Sequence, residues 1–397
     1  MLNKNQMIAV NCIDRFILLI AGAGSGKTRV IVSRVKRLIN EGVDPKKILL
    51  ISFTKKSTFE MKERLSEFKE KLFITTFHGF CYQMLKNILT MRIVTEEDLV
   101  GWGYTKDELK QIDILKRHGS TSKKLRAYNR ILKKQNRIDF TDLEIIMIKK
   151  LTEDSSFRNH ITELFEYIFI DEFQDTSTIQ FKLLKKLASN KINIFCVGDP
   201  DQSIYSFRGA SSRVLKDYVK FFKPRVLYLD INYRSDKNIV GISNNLINKN
   251  PRTTPKNLKA FKETTGTIQV KYCKDEDIQN AFIISEIRNL LSRTLREEDI
   301  AILYRNHYVA NTLKEALYHT YLDKLNVLTI HQAKGLEFKV VFIIGLNENT
   351  LPMKDVSTEE ERRLFYVAMT RAKETLYLCS VLKNGKPSRF IHESFKL

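Results

Sequence analysis

Residues 16–28 read Phe-Ile-Leu-Leu-Ile-Ala-Gly-Ala-Gly-Ser-Gly-Lys-Thr, and the fold class follows from this stretch. Phe16–Ile20 is a short, continuously apolar run, the pattern of a parallel strand covered on both faces. The glycine-rich turn Gly22-Ala23-Gly24-Ser25-Gly26 comes next, and Lys27-Thr28 opens a segment of helical periodicity. Strand, glycine loop and helix start, in that order, make a phosphate cradle. Glycines let consecutive N–H groups point at phosphate oxygens, and the helix start adds partial positive charge. Lys27 is expected to reach the β- and γ-phosphates, and Thr28 to ligate Mg²⁺. The loop opens with Ala21 where the strictest pattern has Gly, away from the phosphate turn.

A second apolar run, Tyr167–Ile170, ends in Asp171-Glu172. Two carboxylates at the end of a buried strand fall where the metal of a phosphate loop sits. Asp171 is expected to hold Mg²⁺ and Glu172 to take the proton of an attacking water. A lone Asp-Glu pair is ordinarily a solvated surface feature. Behind a phosphate loop it reads as hydrolysis chemistry, because a nucleotide-binding switch needs no dedicated base.

Further runs of the same kind are Ile48–Phe53, Asn193–Val197, Ile300–Tyr304, Asn326–Ile330, Val340–Ile344 and Thr375–Leu378, alternating with helical stretches. The class is therefore α/β with parallel sheets. Between His78 and Glu166 the strand pattern gives way to helices rich in Lys and Arg, read as an insertion in the first α/β domain. A second strand-rich block begins near Val226, and 251–266 reads as a loop or linker within it. Ile114–Ile138 holds nine Lys or Arg and no acid. A duplex or strand contact and a solvated basic helix face are equally open readings of it.

The 397 residues suffice for two or three domains. Lys and Arg number 67 against 46 Asp and Glu, a formal net charge of +21. Such a charge favours a polyanion, nucleic acid foremost, through counterion release. The five cysteines stand singly with no Cys/His cluster, so neither a structural metal nor a disulfide framework is expected. The N-terminus lacks a signal-peptide core, and no apolar run reaches the roughly 18 residues of a membrane span. A cytoplasmic protein is expected, with no membrane partner.

Further segments carry a family resemblance. They are Leu2-Asn3-Lys4-Asn5-Gln6, Ala21–Arg29, Ile51-Ser52-Phe53-Thr54-Lys55, Thr75-Thr76-Phe77-His78-Gly79 and Ile170-Asp171-Glu172-Phe173-Gln174-Asp175-Thr176. Val197-Gly198-Asp199-Pro200-Asp201-Gln202-Ser203-Ile204-Tyr205, Asn232-Tyr233-Arg234-Ser235, Thr329–Phe338 and Tyr366–Ala372 follow in order. Together they resemble the UvrD/Rep type of superfamily 1 DNA helicases, from residue 2 to nearly the end of the chain.

The resemblance implies two RecA-like domains: 1A at 1–77 and 166–225, with a helical 1B insertion at 78–165, and 2A at 226–397. It implies ATP as the nucleotide, with Gln6 reading adenine, Arg29 and Tyr233 sandwiching the base and Glu337 binding the ribose. The cradle is Gly22, Ala23, Gly24, Ser25, Gly26, Lys27 and Thr28. Gln202 would sense the γ-phosphate, and Arg234 and Arg371 would be arginine fingers supplied by the second domain, so that hydrolysis depends on domain closure. An aromatic track for single-stranded DNA would comprise Phe53, Phe77, Tyr205 and Phe207, with His78 and Arg208 near the backbone. Phe207 stands where relatives carry Trp, a smaller stacking surface.

Relatives also carry a large 2B subdomain between the positions of Arg305 and Val327, where this chain has room for one helix and a turn, at about 306–326. The expectation is a minimal motor translocating 3′ to 5′ on single strands and at single/double-strand junctions, which either unwinds weakly alone or needs a protein partner for the duplex. Pro387-Ser388-Arg389-Phe390 resembles the family's close of the second domain, so a complete motor without a fused nuclease is expected. The competing reading is a DNA-binding ATPase switch subunit of a repair, replication or defence complex. A P-loop small-molecule kinase is remote, since it would need no arginines from a second domain.

Overall fold

Alternate residues of the central strands enter two different cores, which is why these strands are apolar without interruption. The computed structural model describes the chain apart from Lys69, Ser189, Asn190, Phe207, Arg208, 210–212, 252–255, Thr294, Lys396 and Leu397. In β1 (Phe16–Ala21), Leu18 and Ile20 pack in one core while Ile17, Leu19 and Ala21 pack in the other. Helices lie on both sheet faces, as parallel connections require.

The chain divides into two compact units. Unit 1 comprises Met1–Ala21 and Lys27–Leu229. After α1 (Lys4–Asn11) and β1 come α2 (Lys27–Asn40), β2 (Ile48–Ile51), α3 (Lys55–Arg64) and β3 (Phe73–Thr75). The helical region follows: α4 (Phe77–Leu85), β4 (Arg92–Ile93), α5 (Glu96–Gly101), α6 (Lys106–Arg117), α7 (Lys123–Lys134), β5 (Arg137–Ile138), α8 (Phe140–Glu153) and α9 (Ser155–Leu164). The unit closes with β6 (Tyr167–Ile170), α10 (Thr178–Leu187), β7 (Asn193–Gly198), α11 (Arg213–Phe222) and β8 (Arg225–Leu229). Its six-stranded sheet runs β3-β2-β6-β7-β1-β8, with every neighbouring pair parallel.

The helical region is not one body. Val94, Leu99, Ile112, Leu125, Tyr128 and Leu132 form a small core of their own. Residues of α4, α8 and α9 join the main core under the sheet, with Leu85, Met147 and Ile161 among them.

Unit 2 comprises Gly22–Gly26 and Asp230–Leu397. Its elements are β9 (Ile231–Asn232), α12 (Lys237–Ile247), β10 (Lys259–Ala260), β11 (Thr267–Cys273), α13 (Glu276–Ser292), β12 (Ile300–Tyr304), α14 (Asn311–His319), β13 (Asn326–Thr329), β14 (Phe338–Ile343), α15 (Thr358–Met369), β15 (Ala372–Val381) and α16 (Arg389–Phe395). A five-stranded parallel sheet runs β11-β15-β14-β12-β13. Between β12 and β13 the chain makes one 3-10 turn, His307–Ala310, and α14.

The start of the second block near Val226 needs correction. Val226 lies inside β8, which pairs with β1, so the division falls between Leu229 and Asp230. Edge strand β8 is half exposed, and its apolar pattern is too short to declare which sheet it joins.

Candidate nucleotide site and strand track

The carboxyl ends of β6, β7 and β1 lie side by side, because Ile170 pairs with Cys196 and Ile20 with Gly198. In parallel α/β sheets this edge is where ligands bind. The loop after β1 turns on Gly24 (φ 64) and Gly26 (φ 84), left-handed positions that a side chain would strain. Ser25 Oγ donates to Gly22 O at 2.8 Å, tightening the turn. Within unit 2, Asn232 Nδ2 donates to Ala23 O at 2.8 Å and the Tyr233 N–H to Gly24 O at 2.9 Å.

Asp171 and Glu172 stand at the end of β6. Glu172 occupies the left-handed region (φ 53, ψ 42), unusual for a side-chain-bearing residue and costing on the order of 1 kcal/mol. Its N–H donates to Asp171 Oδ1 at 2.9 Å, and its carboxylate lies 3.3 Å from Lys27 Nζ. Burial, and after it the Glu172 carboxylate, pushes the Asp171 carboxyl up to about 7. Lys27 offsets the two carboxylates only in part, and the oxygen donors of Thr28 and Asp171 are of the hard kind that suits Mg²⁺.

Gln174, at the same edge, is a residue that sequence reasoning passed over. It is 1% exposed. Its Nε2 donates to Glu172 Oε2, and its Oε1 accepts the Asp199 N–H at 2.8 Å. Asp199 Oδ2 in turn accepts from Gln202 Nε2 at 2.7 Å. The signal of Gln174 in the sequence is its place between the two acids expected to act, Asp171 and Glu172, and Asp175.

Gln6 is buried at the start of α1 in a reciprocal cap. Its N–H donates to Asn3 Oδ1 at 2.7 Å, and its Oε1 accepts the Asn3 N–H at 3.0 Å. The amide is thus oriented by the helix start itself. Arg29, by contrast, is exposed on α2.

In unit 2, Tyr233 packs against Phe261 with ring centroids 4.7 Å apart. Arg234 Nε donates to Glu337 Oε2 at 2.7 Å, and Lys373 Nζ lies 2.7 Å from Glu337 Oε1. Burial opposes the charge of Glu337, but Arg234 and then Lys373 hold its carboxyl down at about 2. Arg371 is deeply buried, donating to Val367 O at 2.9 Å, Leu336 O at 3.1 Å and Thr370 Oγ1 at 3.2 Å.

Of the expected track aromatics, Phe53 and Tyr205 are together, stacked at 5.0 Å with 25° between planes. Phe77 needs correction as a stacking surface: it is 5% exposed and packs in the main core with Phe80 and Ile170. Phe207 and Arg208 lie outside the described residues. His78 borders a groove of about 550 Å³ shared with Phe53, Tyr128, Phe140 and Gln180. Its Nε2 is 3.2 Å from Glu144 Oε1, close enough for a hydrogen bond though not aligned as one.

The basic run Ile114–Ile138 is not uniformly a surface. Lys116 Nζ lies 2.6 Å from Asp139 and 2.7 Å from Asp142, and Arg117 pairs with Asp113 and Glu144. Lys116 is buried and the Arg117 side chain is 8% exposed, so both charges are committed to acids of the helical region and its seam.

The fold and site define a P-loop nucleoside triphosphatase built of two parallel-sheet units. Comparison with known proteins narrows the class. The family profile described as UvrD/REP helicase N-terminal domain matches residues 2–116 and 98–223. That of the UvrD-like helicase C-terminal domain matches 227–323 and 318–383. A protein named probable DNA helicase in Mycoplasma pneumoniae is 32% identical over 98% of this chain and 86% of its own. A probable DNA helicase II homolog of Mycoplasma capricolum is 32% identical over 99% and 87%. ATP-dependent DNA helicase PcrA of Staphylococcus aureus is 30% identical over 79% of this chain and 49% of its own. This chain belongs to the UvrD/Rep helicase family. The alignment to the M. capricolum protein extends over 629 positions, so that relative carries long stretches absent here. The C-terminal profile breaks at 318–323, within the short connection between β12 and β13. No helix among the described residues is long and apolar enough to cross a membrane.

Proposed function

We propose that this chain is an ATP-dependent DNA helicase or translocase that moves 3′ to 5′ along single-stranded DNA in the cytoplasm. The observation that carries it is one continuous bonded path in unit 1. It joins Lys27, Glu172, Gln174, Asp199 and Gln202 at the phosphate edge, and Tyr205, three residues beyond Gln202, stacks on Phe53.

Gln6 presents an amide that both donates and accepts, which suits the adenine edge and disfavours guanine. Lys27 binds the β- and γ-phosphates over the glycine loop, while Arg29, Tyr233 and Glu337 take base and ribose. Glu172 accepts the proton of the attacking water, and Gln202 senses the γ-phosphate. Mg²⁺, held by Thr28 and Asp171, supplies charge neutralisation at the phosphates when bound. Arg234 and Arg371 stabilise the transferring phosphoryl group, so turnover follows closure of the two units. Stacking of bases on Phe53 and Tyr205 gives a sequence-independent grip. The short β12–β13 connection supports a motor without a 2B lid that acts at single/double-strand junctions with a protein partner.

Arg371, committed to its own unit, favours a second reading: an ATPase switch that needs its partner to become active. Steady-state ATP hydrolysis with and without single-stranded DNA separates the two. Strong stimulation by DNA, lost by about 10²–10⁴-fold in Glu172→Gln, is the outcome expected of the motor. Negligible turnover in both conditions, despite tight DNA binding, would replace the motor by the switch.

A further inference from the structure

We propose that Gln174 is a positioning residue through which strand binding sets the orientation of Glu172. The proposal rests on the reading of Glu172 as proton acceptor. A primary amide has a donating end and an accepting end, and this one uses both. Nε2 donates to Glu172 Oε2, and Oε1 accepts the Asp199 N–H at 2.8 Å. The main-chain carbonyl of Gln174 also accepts from Ser203 Oγ at 3.2 Å. Two residues beyond Ser203 stands Tyr205, stacked on Phe53.

The close approach is built in. A Cβ on Gly198 would meet Gln174 Oε1 at 2.8 Å and Gln174 N at 3.1 Å, so only glycine leaves room for the amide here. Because Gln174 is 1% exposed, neither end can exchange its partner for water, and an unpaired end would cost about 1–3 kcal/mol. Movement of the 199–205 loop therefore carries the amide with it, and the amide carries Glu172, whose other side faces Lys27. When a base engages Phe53 and Tyr205, the displacement reaches Glu172 through Ser203 and Gln174.

The side chain's length and polarity are both required. Methionine fills the same volume and makes neither bond. Glutamate keeps an acceptor for the Asp199 N–H but sets a second carboxylate against Glu172. The test uses the full chain carrying Gln174→Met, with Gln174→Glu and Glu172→Gln beside it. Measured are ATP turnover without DNA and at saturating single-stranded oligonucleotide, KM for ATP, oligonucleotide affinity by fluorescence anisotropy, and thermal melting.

We expect Gln174→Met to lower the ratio of stimulated to basal turnover by about tenfold or more, with KM for ATP and oligonucleotide affinity unchanged. Gln174→Glu should lose the ratio as fully, and it decides the matter if Gln174→Met does not fold. Full stimulation in both variants, or an equal fall in basal and stimulated turnover, would overturn the proposal. So would a loss that appears only as weaker ATP or DNA binding. If Glu172→Gln retains full turnover, the proton-acceptor assignment itself fails. If Glu172→Gln is inactive and Gln174→Met is fully stimulated, only the role of Gln174 fails.

Discussion

Glu144, in the seam between the helical region and the sheet, and Asp171, at the end of β6, are both buried carboxylates of unit 1, yet they keep different company. Glu144 is 0% exposed and meets Arg117 at 3.2 Å, Gln180 Nε2 at 2.7 Å and His78 Nε2 at 3.2 Å. Burial works against its charge, but His78, Arg117 and Gln180 together hold its carboxyl below the ordinary value. Asp171 has another carboxylate as its neighbour, and its carboxyl rises to about 7. A buried acid that the protein compensates from within is part of the architecture. One left short of cations marks a place where charge arrives from outside.

Removing the compensated acid should have the largest effect on stability. Glu144→Ala leaves Arg117 buried with its deepest anion gone, a loss of about 3–5 kcal/mol. At this size that lowers Tm by roughly 5 °C, read by thermal melting. A shift within error of zero would put Glu144 outside the architecture and break the comparison.

The opposite sign is expected at the other acid. Asp171→Asn removes an undercompensated charge and should raise the Tm of the nucleotide-free protein, by about 1–2 kcal/mol in stability, while Mg²⁺-dependent ATP turnover is lost. A destabilised Asp171→Asn protein would mean that both acids are structural.

The smallest effect is reserved for Glu337, compensated like Glu144 but partly exposed. Its pairs with Arg234 and Lys373 should contribute less than about 1 kcal/mol, as surface pairs do. With the folded carboxyl at about 2, that contribution is complete above the ordinary value near 4.5 and drains only as pH falls below it. The ratio of ATP KM between Glu337→Gln and the parent should therefore be flat from about pH 5.5 to 8. A ratio that changes across that range would show a carboxyl not held down by its neighbours.

Legibility in the sequence follows the same division. Strands covered on both faces announced themselves, as Phe16–Ala21 and Tyr167–Ile170 show, because nothing polar interrupts them. Edge strands did so unevenly: β13 is legible as Asn326–Ile330, whereas β11 mixes exposed and half-buried residues, and Gln269 and Lys271 hide it. Residues with unusual chemistry at fixed spacing, such as Lys27 and Asp171-Glu172, could be read from order alone. The pairing of Glu144 with Arg117 and Gln180, and of Gln174 with Asp199, could not, since these partners lie 25 to 36 residues apart and a buried contact between distant residues has no local signature. Phe77 failed for the reverse reason: an aromatic in a DNA-track motif and an aromatic in a core look alike until burial is known.

The two-faced strand β1 has a consequence for how the site is vulnerable. A strand that is apolar at every position carries no inside-outside alternation to fix its alignment, so sliding by one residue exchanges one oily face for another. Alignment must come from the ends. Arg15 Nε donates to Ile192 O at 3.0 Å and Arg15 O accepts the Ile194 N–H at 2.8 Å before the strand begins, and the glycine turn closes its far end. A one-residue deletion within Ile17–Ile20 could thus leave a well-packed protein that melts normally, with Lys27 displaced by a full residue step from the acid it faces.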